Sequence, residues 1–198
     1  MLAAKVGFLC RPGSYPELTA RVTAIETHMS WLFLTDHHAY KLKKPFRRNG
    51  IDHRTLAMRR LGCSREVRLK RRLAPDVYLN VAPLTVTSAG LALGGDGRPV
   101  DWLVRMRRLP AGLTLDRALG TGQIGPVEAR RIVARLAPFF ASASRARLSP
   151  AAYRGKLLAA ITSAAAQLTR RKYGLATPMV DALACSHWRA ACPRCWRK

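Results

Sequence analysis

The sequence predicts an α+β fold, in which a lobe with an antiparallel sheet and one long helix is followed by an incomplete α-helical lobe. Strand-like patterns flank a single helical pattern before residue 110, and only helical patterns follow it. The 198 residues are 48% hydrophobic and 23% charged, which suits a globular chain of one domain or one domain and part of a second. We expect a lead-in over 1–20, the mixed lobe over 21–109, helices over 110–172 and a loosely ordered Cys/Arg-rich tail over 173–198.

The first elements form the lead-in and three strands. Within the lead-in, "YPELTARV" indicates a short helix. From Val22 to Thr35 the pattern fits two strands, with "ETHMS" between or within them. The turn Asp36-His37-His38 leads into a returning strand, "AYKLKKP", which ends at Pro45.

The second half of the mixed lobe contains a helix and two more strands. "FRRNGIDHRT" reads as a polar loop, and its Asp52 or Thr55 is placed to cap the next helix. "LAMRRLGCSREVRLKRRLAPDVY" predicts a long amphipathic helix that Pro75 ends, although Gly62 in its middle disfavours a helix. "VYLNVAPLTVT" and "PVDWLVRMRRL" predict strands separated by the hairpin signal "GGDGR".

Beyond Pro110 the sequence predicts helices in "TLDRAL", "GPVEARRIVARLAPFFASASRAR" and "SPAAYRGKLLAAITSAAAQLTRRKYG". The helices at 126–147 and 151–172 carry apolar faces that need partners. Burial of apolar area contributes ~25 cal/mol per Å², so leaving one such face exposed to water loses a stabilising free energy comparable to the whole stability of a domain. We therefore expect residues after about 148 to be loosely held, and the chain to be marginally stable or to self-associate.

The charge balance indicates polyanionic partners. Lys and Arg number 35 against 11 Asp and Glu, a formal net charge of +24. Such a chain attracts nucleic acid, nucleotide phosphates or an anionic membrane surface, although an Arg/Ala-rich composition explains part of the excess. A basic nucleic-acid-binding protein without a nucleotide site is therefore the alternative function. The sequence shows no secretory signal, so the five cysteines predict reduced thiols in a cytoplasm. It also shows no apolar stretch of ~20 residues, so we expect no association with a membrane.

Two lysines on the third strand raise the question of an anion site. Lys41 and Lys43 occupy alternate positions, so a strand places both side chains on one face. Such a pair is suited to bind phosphate. The same pattern is also typical of a solvated edge strand that uses lysine to discourage aggregation, and this stretch by itself leaves both interpretations open.

Three blocks of sequence, in this order, carry a family resemblance: "ETHMSWLFLTDHHAYKLKKP", "REVRLKRRLAPDVYLNVAPL" and "VDWLVRMRRLP". With Ala39-x-Lys41 on a strand and Glu66 on the next helix, 66 − 41 = 25 positions later, the chain resembles the protein-kinase-like fold. Within that fold it is similar to the bacterial aminoglycoside phosphotransferase-like proteins, in particular those often fused to a P-loop ATP-binding domain. The similarity runs from about Val22 to Leu119, and weakly to Arg147.

The resemblance implies a site for ATP between two lobes. It implies that Lys41 contacts the phosphates, with Lys43 as its rival, that Glu66 positions the lysine, and that Met106 and Arg107 begin the hinge beside adenine. The turn "ETHMS", which takes the place of the family's phosphate-covering loop, contains no glycine. Its Thr27, His28 and Ser30 therefore either supply side-chain donors to phosphate or merely complete the turn.

The family's catalytic acids have no counterpart in this sequence. The resemblance requires an Asp in a His-Gly-Asp motif, a nearby Asn and a metal-binding Asp, whereas the second lobe offers only Asp116, Glu128 and Asp181, outside any such motif. A P-loop signature is also absent from the 198 residues. Without these groups phosphoryl transfer lacks a positioned nucleophile and Mg²⁺ ligands. We therefore assign no catalytic residue and no Mg²⁺, and we expect a truncated or degenerate member of the family.

The tail "CSHWRAACPRCWRK" contains ligand types that zinc prefers, namely Cys185, His187, Cys192 and Cys195. The Cys-x-His pair is tighter than the common spacing of zinc ligands, and no knuckle glycine follows it. An exposed, reactive tail is the alternative, and we assign no metal site.

Overall fold

The fold is organised around a six-stranded antiparallel sheet. The computed structural model describes residues 2–48, 51–144, 147–170 and 173–190. The strands are β1 (Thr23–Glu26), β2 (Ser30–Leu34), β3 (His38–Lys43), β4 (Arg47–Arg48), β5 (Ile51–Asp52), β6 (Tyr78–Thr87), β7 (Gly90–Leu93) and β8 (Arg98–Arg107). Six of them run side by side in the order β1-β2-β3-β8-β6-β7, and β4 pairs with β5 in a separate ladder. The predicted antiparallel sheet is confirmed.

The helices divide between two compact units, Met1–Ser142 and Ala143–Lys198. They are α1 (Leu2–Leu9), α2 (Leu56–Lys70), α3 (Leu115–Gly120), α4 (Pro126–Ala141), α5 (Pro150–Leu168) and α6 (Thr177–Ala190). The first unit contains the sheet with α1 to α4, and in the second α5 packs against α6. Among the described residues, no helix combines the length and apolarity needed to cross a membrane.

Alternation along β3 sends its side chains into two separate cores. Ala39 packs with Cys63 and Val67 of α2, on the same face of the sheet as Lys41 and Lys43. Residues on the opposite face join a second core made of Leu9, Tyr15, Phe33, Tyr40, Leu42, Leu84 and Leu103. Because β3 is hydrogen-bonded to β2 on one side and to β8 on the other, the edge-strand interpretation of the two lysines is wrong.

The N-terminal segment differs from the predicted lead-in. The helix expected over "YPELTARV" is absent, and helix α1 lies earlier, at Leu2–Leu9. Leu9 is fully buried against the sheet, and the Tyr15 hydroxyl donates a hydrogen bond to the Leu9 carbonyl at 2.5 Å. The segment therefore covers the sheet face opposite α2 and is part of the core.

Helix α2 begins with a side-chain cap and tolerates its glycine for a steric reason. The Thr55 hydroxyl accepts a hydrogen bond from the Met58 N–H at 3.2 Å, so Thr55 is the cap and Asp52 instead pairs with Arg54. A Cβ on Gly62 would lie 2.5 Å from the His53 ring. Glycine at this position therefore lets the ring of His53, the residue after β5, pack against the helix.

A buried carboxylate joins three elements of the first unit. Asp101 on β8 is 2% exposed and accepts from Lys5 Nζ of α1 and from Arg59 Nε of α2, each at 2.6 Å. Both cations are themselves buried. Buried charges are tolerated when they are paired and hydrogen-bonded, so this triad fixes α1 and α2 on opposite sides of one strand.

Besides α1, four elements were not predicted from the sequence, and two of them, β4 and β5, lie within the segment expected to be a polar loop. The strands β6 and β8 are confirmed, but "GLAL" between them forms β7, which pairs Leu84 with Leu93 at the sheet edge. Helix α6 lies where a loosely ordered tail was expected, and its Val180 is 1% exposed. Helices α3, α4 and α5 lie within the three segments predicted to be helical.

Candidate functional site

Lys41 and Lys43 of β3 converge on one carboxylate. Lys41 Nζ lies 2.8 Å from Glu66 Oε1, and Lys43 Nζ lies 2.5 Å from Glu66 Oε2. Glu66 sits on the face of α2 that packs on the sheet, one residue before the buried Val67. The structure thus brings together the three charged residues that the sequence singled out, with each oxygen of one carboxylate holding one lysine.

The two lysines differ in depth. The Lys43 side chain is 9% exposed, whereas that of Lys41 is 33% exposed. Only Lys41 therefore combines an ordered position with substantial access to solvent. Lys43 occupies the deeper position, beneath the surface that a ligand would reach.

The electrostatics of the cluster favour an anion. Burial by itself raises the pKa of the Glu66 carboxyl, but hydrogen bonds and charges from Lys41 and Lys43 outweigh burial and lower the pKa below its ordinary value of 4.5. Glu66 is therefore ionised at neutral pH. Lys41, Lys43 and Glu66 together carry one net positive charge, and Lys41 is the more accessible of the two lysines.

An open cavity of about 430 Å³ lies over this cluster. Its lining contains Thr27, His28, Met29, Ser30, Leu32, Lys41, Glu66, Tyr78 and Met106. The volume falls within the range of small-molecule sites, and the lining combines apolar side chains with a few polar groups, as such sites do. Lys41 and Glu66 supply its charges, so the cavity suits a ligand with an anionic part and an apolar part.

The turn between β1 and β2 forms one wall of the cavity and is held by its own hydrogen bonds. The Thr27 hydroxyl donates to the Ser30 carbonyl at 2.7 Å and accepts from the Ser30 N–H at 3.0 Å. The Lys44 N–H donates to the Met29 carbonyl at 2.9 Å. Thr27 thus completes the turn, and this network fixes the wall without the glycines that a phosphate-covering loop usually contains.

The two hinge candidates occupy different environments. Met106 is 9% exposed and lines the cavity. Arg107 is exposed, and its backbone N–H donates to the Val77 carbonyl at 2.8 Å; the next N–H, of Arg108, donates to the His37 carbonyl at 2.9 Å. The structure therefore brings Met106 to the site, whereas the backbone donors of Arg107 and Arg108 are used within the sheet region.

Several lining residues were missed by the reasoning from sequence. Leu32 lies directly opposite Lys41 in the β2–β3 register, and Tyr78 lies opposite Met106 in the β6–β8 register. The period-two pattern of β2 places Leu32 and Ser30 on one face, which was an available signal. The position of Tyr78 depends on which strands are neighbours, and the sequence pattern does not specify this.

The His-His turn beside the lysines belongs to a different cluster. His38 Nδ1 lies 2.9 Å from Glu17 Oε1, and the Tyr40 hydroxyl donates to both oxygens of Glu17. Arg105 Nη2 lies 3.0 Å from His38 Nε2. This contact joins β8 to the Glu17–His38 pair. The cluster ties the N-terminal segment to the sheet.

The remaining acids are described only in part, and the side chains of the zinc candidates lie outside the described residues. Glu128 accepts from the Gly125 N–H at 3.0 Å and so caps α4, and Asp181 is exposed on α6. Cys192 and Cys195 lie outside the described residues, as do the side chains of Asp116, Cys185 and His187. Among the side chains that the structure does describe, no three His, Cys, Asp or Glu form a metal-binding group.

Comparisons with known proteins give relatives without a stated activity. No family model matches the chain, and no solved structure matches it. The chain is similar to an uncharacterized protein of Mycobacterium bovis and to uncharacterized proteins of two strains of Mycobacterium tuberculosis, each 36% identical over 101 residues. The match covers 48% of this chain and spans 19% of the length of each relative.

Proposed function

We propose that the first unit is a nucleotide-binding lobe of the protein-kinase-like kind, similar to that of aminoglycoside phosphotransferase-like proteins. The observation that carries this proposal is the Lys41–Glu66 ion pair of 2.8 Å on the wall of the cavity. A lysine on a strand, held by a glutamate on the following helix, is the arrangement with which kinase-like proteins bind nucleotide phosphates. The ligand of the proposal is ATP.

The proposal gives the two lysines different roles. Lys41 contacts the phosphates because its side chain lines the cavity and is one-third exposed. Lys43 is a positioning residue that holds the second oxygen of Glu66 from below. When a phosphate draws Lys41 toward it, the Lys43 contact keeps Glu66 paired, so the buried carboxylate is never left alone.

The apolar part of the cavity takes the adenine ring. Leu32 and Met106 present apolar surface beside the lysine, and Tyr78 adds an aromatic ring. Since the N–H groups of Arg107 and Arg108 already donate to protein carbonyls, recognition of the base rests on packing more than on those two donors. We therefore expect weak discrimination between ATP and GTP.

We propose that these 198 residues bind ATP but do not by themselves transfer its phosphoryl group. Transfer needs a base and metal-binding acids near the terminal phosphate, and the sequence contains no His-Gly-Asp motif. Of the acids after residue 110, Glu128 is engaged as a helix cap. Tight binding of Mg²⁺ is not part of the proposal.

Isothermal titration with ATP tests the proposal. Wild type should bind at millimolar concentrations or below, and Lys41→Met should weaken binding about tenfold, the loss of one charge-assisted hydrogen bond. The matched control is Lys43→Met, which removes the same charge and should change ATP affinity less than about threefold while lowering the melting temperature. Absence of heat from millimolar ATP would refute nucleotide binding, and a loss confined to Lys43→Met would transfer the phosphate role to Lys43.

A further inference from the structure

A group of exposed arginines lies where the end of α2 meets α4, within the first unit. It consists of Arg68, Arg71, Arg72 and Arg135, and we call it the α2/α4 arginine cluster. The Arg72 guanidinium lies 4.5 Å from the centre of the Phe139 ring, and Arg135 Nη2 donates to the Leu73 carbonyl at 3.0 Å. These two contacts join the helices, so the cluster is one continuous surface. None of its four arginines lines the cavity over Lys41, although Arg71 bonds to the carbonyl of Tyr78, which does.

Three of the four arginines, Arg71, Arg72 and Arg135, are held in place by groups that do not neutralise them. Arg71 Nε donates to the Tyr78 carbonyl at 2.7 Å, while Arg72 rests on an aromatic ring and Arg135 is bonded to a carbonyl. Carbonyl oxygens and rings fix a guanidinium but leave its charge intact. Within the described part of the chain, no carboxylate lies within 4.0 Å of any arginine of the cluster. The cluster is therefore a preorganised cationic surface.

An exposed aromatic ring adjoins the cluster. Phe140 on α4 is 67% exposed, and its ring lies edge-to-face against Phe139, with the ring centres 5.4 Å apart. Phe139 in turn carries Arg72. Ordered cations beside an exposed aromatic ring are the two components of surfaces that bind single-stranded nucleic acid, because phosphates pair with cations and an unstacked base covers the ring.

We infer that the α2/α4 arginine cluster and Phe140 bind single-stranded nucleic acid without sequence preference. The inference is independent of the proposed nucleotide site. Duplex nucleic acid would engage the arginines alike, but its bases are stacked and cannot cover Phe140. Single strands are therefore favoured over duplex. The net charge of +24 adds long-range attraction, whereas the cluster sets the place of contact.

Fluorescence anisotropy with an oligothymidylate of about 20 nucleotides tests the inference. If all four arginines neutralise phosphates, the slope of log K against log salt should be about −3, at ~0.7 per contact on single strands. The double variant Arg68→Gln/Arg72→Gln loses two of these contacts, so its slope should be less negative by about 1.4. The control Arg11→Gln/Arg98→Gln has the same net charge, 24 − 2 = +22, and should leave the slope unchanged.

Two further variants separate stacking from charge and from the cavity. Phe140→Leu keeps an apolar side chain but loses the aromatic face, so affinity should fall about fivefold or more with an unchanged salt slope. Lys41→Met should bind the oligonucleotide like wild type, which keeps this result independent of nucleotide binding at the cavity. Far-UV circular dichroism of each variant confirms that it is folded.

Three results would overturn the inference. The first is absence of binding to the oligonucleotide at about 50 mM salt, where phosphate contacts are strongest. The second is equal loss of affinity in the two double variants, because charge alone would then explain binding. The third is tighter binding to a duplex of equal length, or to vesicles containing phosphatidylserine, since neither offers an unstacked base.

Discussion

Replacing the buried Asp101 by Asn should destabilise the first unit strongly. Asp101 is 2% exposed and pairs with Lys5 and Arg59, each at 2.6 Å. Asparagine keeps the volume but removes the charge, and it leaves two buried cations without a counter-ion. Breaking a buried ion pair from one side costs about 3–5 kcal/mol, against a domain stability of about 5–15 kcal/mol.

Hydrogen bonds that survive the Asp101 substitution favour a loss of stability at the lower end of the range of about 3–5 kcal/mol. Lys5 Nζ also donates to the Val100 carbonyl at 2.6 Å, and Arg59 Nη1 donates to the His53 carbonyl at 3.1 Å. Both cations therefore keep a neutral acceptor. We expect a loss of about 3 kcal/mol, which lowers the melting temperature by about 6–12 °C for a chain of this length.

Urea unfolding followed by circular dichroism measures this loss. The control is Asp96→Asn, the same substitution at an exposed loop position, which should change stability by less than about 0.5 kcal/mol. Adding Lys5→Met to Asp101→Asn removes one stranded cation, so the double variant should be more stable than the sum of the single losses implies. A loss below about 1 kcal/mol in Asp101→Asn, or strict additivity in the double variant, would refute the reasoning.

Three other predictions concern the site and the two ends of the chain. Because the folded-state pKa of Glu66 is lowered, the carboxylate stabilises the fold above pH 4.5, and this contribution is lost as pH falls through the folded-state pKa. The difference in stability between wild type and Glu66→Gln should therefore shrink when unfolding is measured at decreasing pH. A difference that stays constant with pH would contradict the ion cluster. Leu9→Ala should lower the free energy of unfolding by about 2–5 kcal/mol in urea because Leu9 is fully buried. An unchanged free energy of unfolding would contradict the assignment of the N-terminal segment to the core. Limited proteolysis followed by mass spectrometry should cut first within 147–172 and spare 22–108, and first cleavage inside the sheet would contradict this order.

The charged cluster was predicted from strand alternation together with the family resemblance. Strand alternation placed Lys41 and Lys43 on one face, and Glu66 is the only acid between Asp52 and Asp76. These two facts are local, and the pairing of Glu66 with the lysines came from the resemblance, because neither fact brings the helix onto the strand. The structure adds what is not local, namely that α2 leaves Lys41 at the cavity and covers Lys43.

One missed element, α1, depends on contacts that are distant in the chain, and another, β7, is too short to show a pattern. The run "LAAKVGFL" is too short to distinguish a helix from a strand by its pattern, and α1 owes its place to Leu9 and to the Lys5–Asp101 pair, 101 − 5 = 96 positions apart. Such a tertiary contact overrides weak local preference. The four residues of β7 pair with β6 across a short turn, with Thr87 opposite Gly90, and a strand of this length is too short to show a clear alternation.

Chemical labelling by an acyl phosphate of ATP tests the central claim most directly. In this reagent an acyl group is attached to the terminal phosphate; a nearby lysine amine attacks the acyl carbonyl, an amide bond forms, and ATP leaves. If Lys41 faces the phosphates in the cavity, tryptic peptides should carry the acyl group at Lys41, excess ATP should prevent this labelling, and Lys43 should remain unmodified. Labelling that is spread over surface lysines and unaffected by ATP, or ATP-sensitive labelling at Lys43 instead of Lys41, would contradict the account.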